Sequence, residues 1–182
     1  MKPALFVHVP KTGGNTIKAS FGPRIFSRNH TPARRVRELR DAPWSFAFVR
    51  NPWNRMLSWY FWSEPASVLA NTTRTWFSSW VMTRGSETFR TVADLILDEN
   101  GTQLVSTVYQ FEDFAGAYAD IAVNLGVLEP PVISVHNENP NKPAGWPRTA
   151  REFYTPAARN LVAKRGAWEI ERFGYEFDKD KS

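Results

Sequence analysis

Short apolar runs alternate along the chain with longer amphipathic segments, and this alternation predicts the order of the elements. Residues 4–9 and 44–49 are apolar nearly throughout, as expected for strands buried on both faces of a sheet. Two further strands are predicted over 104–111 and 132–135. Strands and helices that alternate within one chain favour an α/β fold with a mainly parallel central sheet flanked by helices.

Helix starts are marked by a capping residue followed by proline, or by a loop that leads into an amphipathic segment. The signal of a cap and a proline predicts helices over about 31–40, 51–62 and 155–174. Two more helices are predicted, from about residue 16 and over 113–125. The helix that Asn51 caps should bury an apolar face, which consists of Met56, Leu57, Tyr60 and Phe61.

The length and composition of the chain bound its domain organisation. It has 182 residues, of which 42% are hydrophobic. This is enough for one substantial core but short for two, so a single domain over 1–182 is expected. Residues 63–87 follow no clear period and are predicted to be a variable insert. Residues 137–151 contain three prolines and a glycine, which indicates a long loop of the kind that often carries function.

Cysteine is absent from the sequence, and this excludes disulfides, thiolate metal sites and cysteine nucleophiles. The absence fits a reducing compartment. No apolar segment reaches the length of a membrane span, and the first apolar run is too short for a signal peptide. We therefore expect a cytoplasmic protein without a membrane span.

Positive charge is concentrated at the beginning of the chain. Residues 1–60 contain 11 Lys and Arg residues but only 2 acidic residues, Glu38 and Asp41, although the whole chain carries a formal charge of only +5. Such a bias indicates an anionic partner. Nucleic acid is one candidate, but a basic stripe tied to a recognition motif is not found. A small and highly charged phosphate ligand explains the bias more simply.

The segment 10–16, Pro-Lys-Thr-Gly-Gly-Asn-Thr, lies between a predicted strand and a predicted helix. Paired glycines let the backbone approach a ligand, and the N–H groups and macrodipole at a helix start favour an anion. The segment is not a Walker A sequence, because Lys11 precedes the glycines and the GxxxxGK[ST] spacing is missing. Taken alone, it fits an anion-binding loop and an ordinary Gly-Gly turn about equally well.

Arg50 and Ser58 form a second candidate phosphate site. Arg50 follows a predicted buried strand, at the end where ligands of open α/β sheets bind, and Ser58 lies almost two turns into the next helix. A planar guanidinium can hold two phosphate oxygens and a hydroxyl can donate to a third. The alternative is an arginine paired with a carboxylate and a serine that fills a small gap.

Together these segments resemble a known family. Segment 10–16 resembles the 5′-phosphosulfate-binding loop of sulfotransferases, and segment 48–58 resembles the 3′-phosphate-binding segment of the Golgi-type carbohydrate sulfotransferases and their bacterial relatives. The similarity continues through 109–114, 136–139 and 153–175 and is weakest at 63–87, the expected acceptor-side insert. It implies a P-loop-type domain that uses 3′-phosphoadenosine-5′-phosphosulfate (PAPS) as sulfuryl donor, releases PAP and needs no metal.

The resemblance also implies roles for individual residues. Lys11 is expected to stabilise the charge that builds on the oxygen between phosphate and sulfate as the bond to sulfur breaks. His30 lies in a segment similar to the one that supplies the general base in several carbohydrate sulfotransferases, and its place before a predicted helix start should keep its ring neutral. His8 is expected to be a packed residue, and His136 a surface loop residue.

The expected nucleotide site combines both motifs with the late loop. Asn15 departs from the Ser or Thr that relatives commonly carry, so the hydroxyl contribution is left to Thr16. The acceptor is expected to be a hydroxyl of a glycan or another small molecule, with no nucleic acid partner. A P-loop nucleotide kinase and a non-catalytic nucleotide-binding or nucleic-acid-binding module remain alternatives. The expected nucleotide-binding residues are Lys11, Thr12, Gly13, Gly14, Asn15, Thr16, Arg50, Ser58, Lys142 and Arg148.

Overall fold

A computed structural model describes residues 2–133 and 152–177 of the chain. The strands are β1 (Ala4–Val7), β2 (Ile25–Phe26), β3 (Ser45–Val49) and β4 (Thr107–Gln110). The α-helices are α1 (Gly14–Phe21), α2 (Pro52–Ser63), α3 (Ala66–Leu69), α4 (Arg74–Trp80), α5 (Ser86–Thr88), α6 (Val92–Ile96), α7 (Phe114–Asn124), α8 (Pro156–Arg165) and α9 (Ala167–Phe173). Short 3-10 turns cover Gly22–Arg24, Ala33–Arg35, Arg37–Arg40 and Phe111–Asp113, and a π-helical turn covers Val81–Gly85.

The described residues form two compact units. The first contains residues 2–50 and 92–133, and the second contains residues 51–91 and 152–177. The whole sheet lies in the first unit, together with α1, α6 and α7, whereas the second unit is helical. The single domain expected over 1–182 stays a prediction.

The sheet of the first unit has the strand order β2-β1-β3-β4, and every pairing in it is parallel. This confirms the predicted α/β fold with a parallel sheet. In this order β1 is followed along the chain by β2 on one flank of the sheet, and β3 by β4 on the other. The loops after these two strands therefore diverge, and such a point is where open α/β sheets form a ligand crevice.

Aromatic side chains fill the core of the first unit. The rings of Phe6 and Phe46 are fully buried and stack with their centroids 5.0 Å apart. Ile17 and Phe21 of α1 and Ile121 of α7 complete the same cluster. Because both faces of the central strands are covered, their sequences are apolar nearly throughout, as the sequence pattern predicts.

The strand predicted over 104–111 is shorter, because its first part pairs elsewhere. The Leu104 N–H donates to the Ile96 carbonyl over 2.8 Å, and Gln103 forms an antiparallel bridge with Leu97. These backbone groups are thus used outside the sheet, and β4 begins only at Thr107. The strand predicted over 132–135 is absent at residues 132–133, which follow two prolines that cannot donate to a ladder; its other residues lie outside the described residues.

The prediction of a basic helix over 31–40 is wrong. Two separate 3-10 turns occupy this segment, and Thr31 does not cap either of them. Val36, which lies between the turns, has an extended backbone (φ −96°, ψ 104°) and a buried side chain. A β-branched residue in this conformation interrupts the helical hydrogen bonds.

The helix predictions hold for α7 and, in the second unit, for α2. The Asp113 carboxylate accepts the Gly116 N–H at the start of α7, whose bounds fall within one residue of the predicted 113–125. Asn51 caps α2 by accepting two backbone N–H groups, from Trp53 at 3.1 Å and Asn54 at 3.3 Å. The apolar face predicted for α2 is buried.

The second unit differs from the sequence predictions in two places. The helix expected over 155–174 begins after the Thr155 cap but is interrupted at Gly166, where a Cβ atom would lie 2.9 Å from the Cβ of Pro52. Residues 63–87 are more helical than expected, and Phe77 is fully buried there. None of the described helices has the length and apolarity needed to cross a membrane.

Candidate functional site

The loop after β1 is held in a tight turn that leads into α1. The Thr12 hydroxyl is fully buried and donates to the Val9 carbonyl over 2.8 Å. Lys11 and Gly13 both have left-handed backbones, with φ of +67° and +76°. Gly13 occupies the N-cap position of α1 and has no side chain with which to cap it. The first turn of α1 can therefore offer its N–H groups to an anion.

Both glycines of this loop lie against side chains of the first unit. A Cβ atom on Gly14 would lie 2.2 Å from the ring of His8, and one on Gly13 would lie 2.7 Å from the ring of Phe114. The loop can approach these rings so closely only because neither residue has a side chain.

We expect the Gly14→Ala variant to unfold more easily than the wild type, by about 1–3 kcal/mol, because its methyl group overpacks the buried His8 ring. Gly22→Ala is the matched control, since a Cβ atom there meets nothing within 4 Å. Urea unfolding of both variants measures the difference. Equal stability of the two variants would show that the loop does not rest on His8.

Arg50 follows β3 and joins the loop after β1. Its Nη1–H donates to the Lys11 carbonyl over 3.1 Å, and its guanidinium carbon lies 4.4 Å from the centroid of the Phe111 ring. The two predicted phosphate-binding cations therefore lie at the carboxyl ends of neighbouring parallel strands. Burial and, to a smaller extent, the positive charge of Arg50 together lower the pKa of Lys11 to about 8.

His30 lies against the end of β1, on the same edge of the sheet. Its Nδ1–H donates to the His8 carbonyl over 3.2 Å, and the centroids of the two imidazole rings are 4.7 Å apart. A carbonyl oxygen can only accept, so the proton is on Nδ1 and the basic lone pair is on Nε2. The helix start expected behind His30 is absent, because that segment forms 3-10 turns instead. The neutral state of the ring stays a prediction.

His8 is a packed residue, as the sequence predicts. Its side chain is buried, and its Nδ1–H donates to the Asn29 Oδ1 over a long 3.4 Å. Burial, and to a smaller extent the charges of His30 and Lys18, together lower the pKa of His8 to about 4. His8 is therefore neutral near pH 7 and supports its neighbours instead of taking up protons.

Backbone strain coincides with the two residues expected to be catalytic. Among residues 2–133 and 152–177, Lys11 and His30 are the non-glycine residues with positive φ. This conformation is costly for a residue with a Cβ atom, and such residues cluster at functional sites. The strain is independent of the sequence motifs and points to the same two residues.

The other predicted site residues have different positions. Asn15 is exposed and Thr16 is buried, both in the first turn of α1. Ser58 is partly buried on α2, which belongs to the second unit. Lys142, Arg148 and His136 lie outside the described residues.

Sequence reasoning assigned no role to Phe111, Phe114 and Asn29. Phe111 supports Arg50, Phe114 packs on Gly13, and Asn29 binds His8. The position of the two phenylalanines shortly after β4 could have identified them. Because β3 and β4 are parallel neighbours, the loops that follow them lie at the same edge of the sheet. Asn29 has no comparable signal, since its partner lies 21 residues away in sequence.

The charges of this site define the chemistry that it can perform. Lys11 and Arg50 can hold a small anion, and His30 can accept a proton. Groups of three or more His, Asp or Glu residues that could hold a metal ion do not occur within the two described ranges.

Comparison of the chain with protein-family models, with the curated proteins and with the solved structures finds no match.

Proposed function

We propose that this protein is a sulfotransferase that moves a sulfuryl group from PAPS to an acceptor hydroxyl, with carbohydrates as the first acceptor class to examine. One observation carries the proposal. Lys11 and Arg50 meet through a 3.1 Å hydrogen bond at the carboxyl ends of β1 and β3, beside the start of α1. The resemblance of segments 10–16 and 48–58 to the nucleotide-binding motifs of sulfotransferases is the reason for proposing PAPS as the ligand.

The electrostatics of the loop support a bound anion. Two cations lie side by side, and the lowered pKa of Lys11 reflects the cost of keeping its charge there. A phosphate or sulfate group would offset this cost, because an opposite charge favours the ammonium form. The N–H groups of α1 can add further donors to a group bound at Lys11, and the Arg50 guanidinium can bind a phosphate through two oxygens.

The proposed reaction is an in-line displacement at sulfur. The acceptor oxygen forms a bond to sulfur, the bond between sulfur and the bridging oxygen of the nucleotide breaks, and PAP leaves with that electron pair. His30 takes the acceptor proton on Nε2, and Lys11 stabilises the negative charge on the departing phosphate. Arg50 is proposed to bind the 3′-phosphate, as the resemblance of segment 48–58 implies.

We expect kcat/KM for PAPS to fall above about pH 8. Lys11 carries its positive charge below its pKa of about 8 and loses it as the pH rises through that value. Because kcat/KM reports the ionisations of the free enzyme, its alkaline limb should lie near the pKa of free Lys11. The alkaline limb of kcat should lie at higher pH, since a bound anion stabilises the ammonium form of Lys11. A guanidinium stays charged, so the limb should vanish in Lys11→Arg; an unchanged limb in that variant would assign it to another group.

Transfer of labelled sulfate from PAPS to a panel of glycans and small alcohols tests the proposal. A sulfotransferase produces labelled acceptor and PAP without added Mg²⁺. A P-loop kinase would instead need Mg²⁺ and a nucleoside triphosphate, and a non-catalytic module would bind PAP without turnover. Labelled acceptor formed only by the complete mixture supports the proposal, and PAP binding without transfer to any acceptor contradicts it.

A further inference from the structure

The amide of Asn29 connects α1 with the end of β1. Its Oδ1 accepts a hydrogen bond from the Lys18 ammonium at 2.9 Å and from the His8 Nδ1–H at 3.4 Å. Lys18 lies on α1, and His8 follows β1 directly. The side chain of one loop residue is thus tied to two separate elements, and the backbone that it anchors leads directly to His30.

His30 occupies a position in a turn that favours glycine. The Thr31 N–H donates to the Arg28 carbonyl over 3.2 Å, which makes His30 the third residue of a four-residue turn, and its φ is +55°. A type II turn requires positive φ at this place, where glycine is preferred. Histidine is strained there, so neighbouring contacts must hold its backbone in place.

We propose that Asn29, tied to Lys18 and His8, is a positioning residue that holds the His30 ring on the His8 carbonyl and thereby fixes Nε2 as its basic nitrogen. This rests on the proposed function of His30. Within the part of the chain that the structure describes, the side chains bonded to Asn29 that can titrate or carry charge are Lys18 on α1 and His8 after β1, and the ring of His30 itself lies beside His8. Because the pKa of His8 is lowered to about 4, His8 donates the same hydrogen to Asn29 throughout the neutral range.

The tautomer of His30 tests this role without any need for activity. Nitrogen NMR of the labelled full-length chain, with the three histidines assigned by single His→Gln variants, should find the proton of His30 on Nδ1. In Asn29→Ala and Lys18→Met, the ring should revert to a mixture with Nε2–H, whereas Asn29→Asp keeps an acceptor oxygen and should keep the wild-type tautomer. Glu38→Gln is the matched control, because it removes the charge of the 2.8 Å ion pair with Arg28 on the same loop but changes none of the groups that bind Asn29.

Kinetics supply the second arm of the experiment. Asn29→Ala should lower kcat roughly tenfold, as a misplaced catalytic group does, and leave KM for PAPS unchanged. In a His30→Ala background, Asn29→Ala should not lower kcat further, since a residue that acts through His30 has no effect on catalysis when His30 is missing. An unchanged tautomer in Asn29→Ala, or an equal loss in both backgrounds, overturns the proposal. Absence of sulfate transfer by the wild type would instead refute the proposed function, and the NMR result would still decide the role of Asn29.

Discussion

The Lys11→Ala variant is expected to lose about 10²–10³-fold in kcat, the loss typical for one preorganised donor at a developing negative charge. The substitution removes the ammonium but keeps the backbone carbonyl that accepts from Arg50. The fold should therefore survive, because the Thr12 hydrogen bond and the packing of both glycines do not involve the Lys11 side chain.

Initial rates at saturating PAPS and acceptor measure this loss, and urea unfolding verifies the fold. Lys2→Ala serves as control, because Lys2 is an exposed lysine of the same first unit and its loss removes the same charge. Turnover of Lys11→Ala within twofold of the control would exclude Lys11 from the chemical step.

Replacing His30 by glycine should separate activity from stability. The variant loses the proton acceptor, and we expect transfer to fall by about 10²–10⁴-fold. The free energy of unfolding should stay within about 1 kcal/mol of the wild type, because glycine relieves the positive φ of +55° while the ring contact with His8 is lost. A large loss of transfer with a nearly unchanged free energy of unfolding is unusual for the substitution of a histidine whose ring makes a contact.

The pH–rate profile provides the control for this variant. In the wild type, transfer should fall towards acidic pH as His30 is protonated, and the His30→Gly profile should lack that acidic limb. His30→Ala keeps the strained backbone, so it should be equally inactive but less stable than His30→Gly. Wild-type turnover with an unchanged acidic limb in either variant would remove His30 from the mechanism.

Local signals in the sequence predict much of the fold. The apolar runs at 4–9 and 44–49 identify the two central strands, because burial on both faces favours apolar side chains nearly throughout. Asn51 and Thr155 mark helix starts through side chains that accept backbone N–H groups. In each case the evidence lies within a few neighbouring residues.

Interactions between distant segments account for the errors. Nothing near Leu104 indicates that its N–H bonds to Ile96 instead of joining the sheet. The buried, extended Val36 interrupts a segment whose sequence has the signal of a cap, a proline and strong helix formers. Local propensity is a weak prior in such places, and packing decides the conformation.

The candidate site was predicted in part for the same reason. Lys11 and Arg50 are recognisable because Arg50 directly follows β3 and Lys11 lies in the loop after β1, and parallel neighbours bring such residues to one edge. The support that Phe111 gives to Arg50 and the tie between Asn29 and His8 depend on contacts across 61 and 21 positions, which no local pattern encodes. Ser58 was predicted from the resemblance of segment 48–58 and from its place on the helix, and its role stays a prediction.

Calorimetric titration of PAP tests the central claim most directly, namely that Lys11 and Arg50 belong to one nucleotide site. We expect PAP to bind the wild type with a stoichiometry of about one, and Lys11→Ala and Arg50→Ala each to weaken binding by about tenfold or more, the scale of one lost charge-assisted hydrogen bond. Lys2→Ala should bind as the wild type does. Absence of PAP binding by the wild type, or affinities unchanged by both substitutions, would contradict the account.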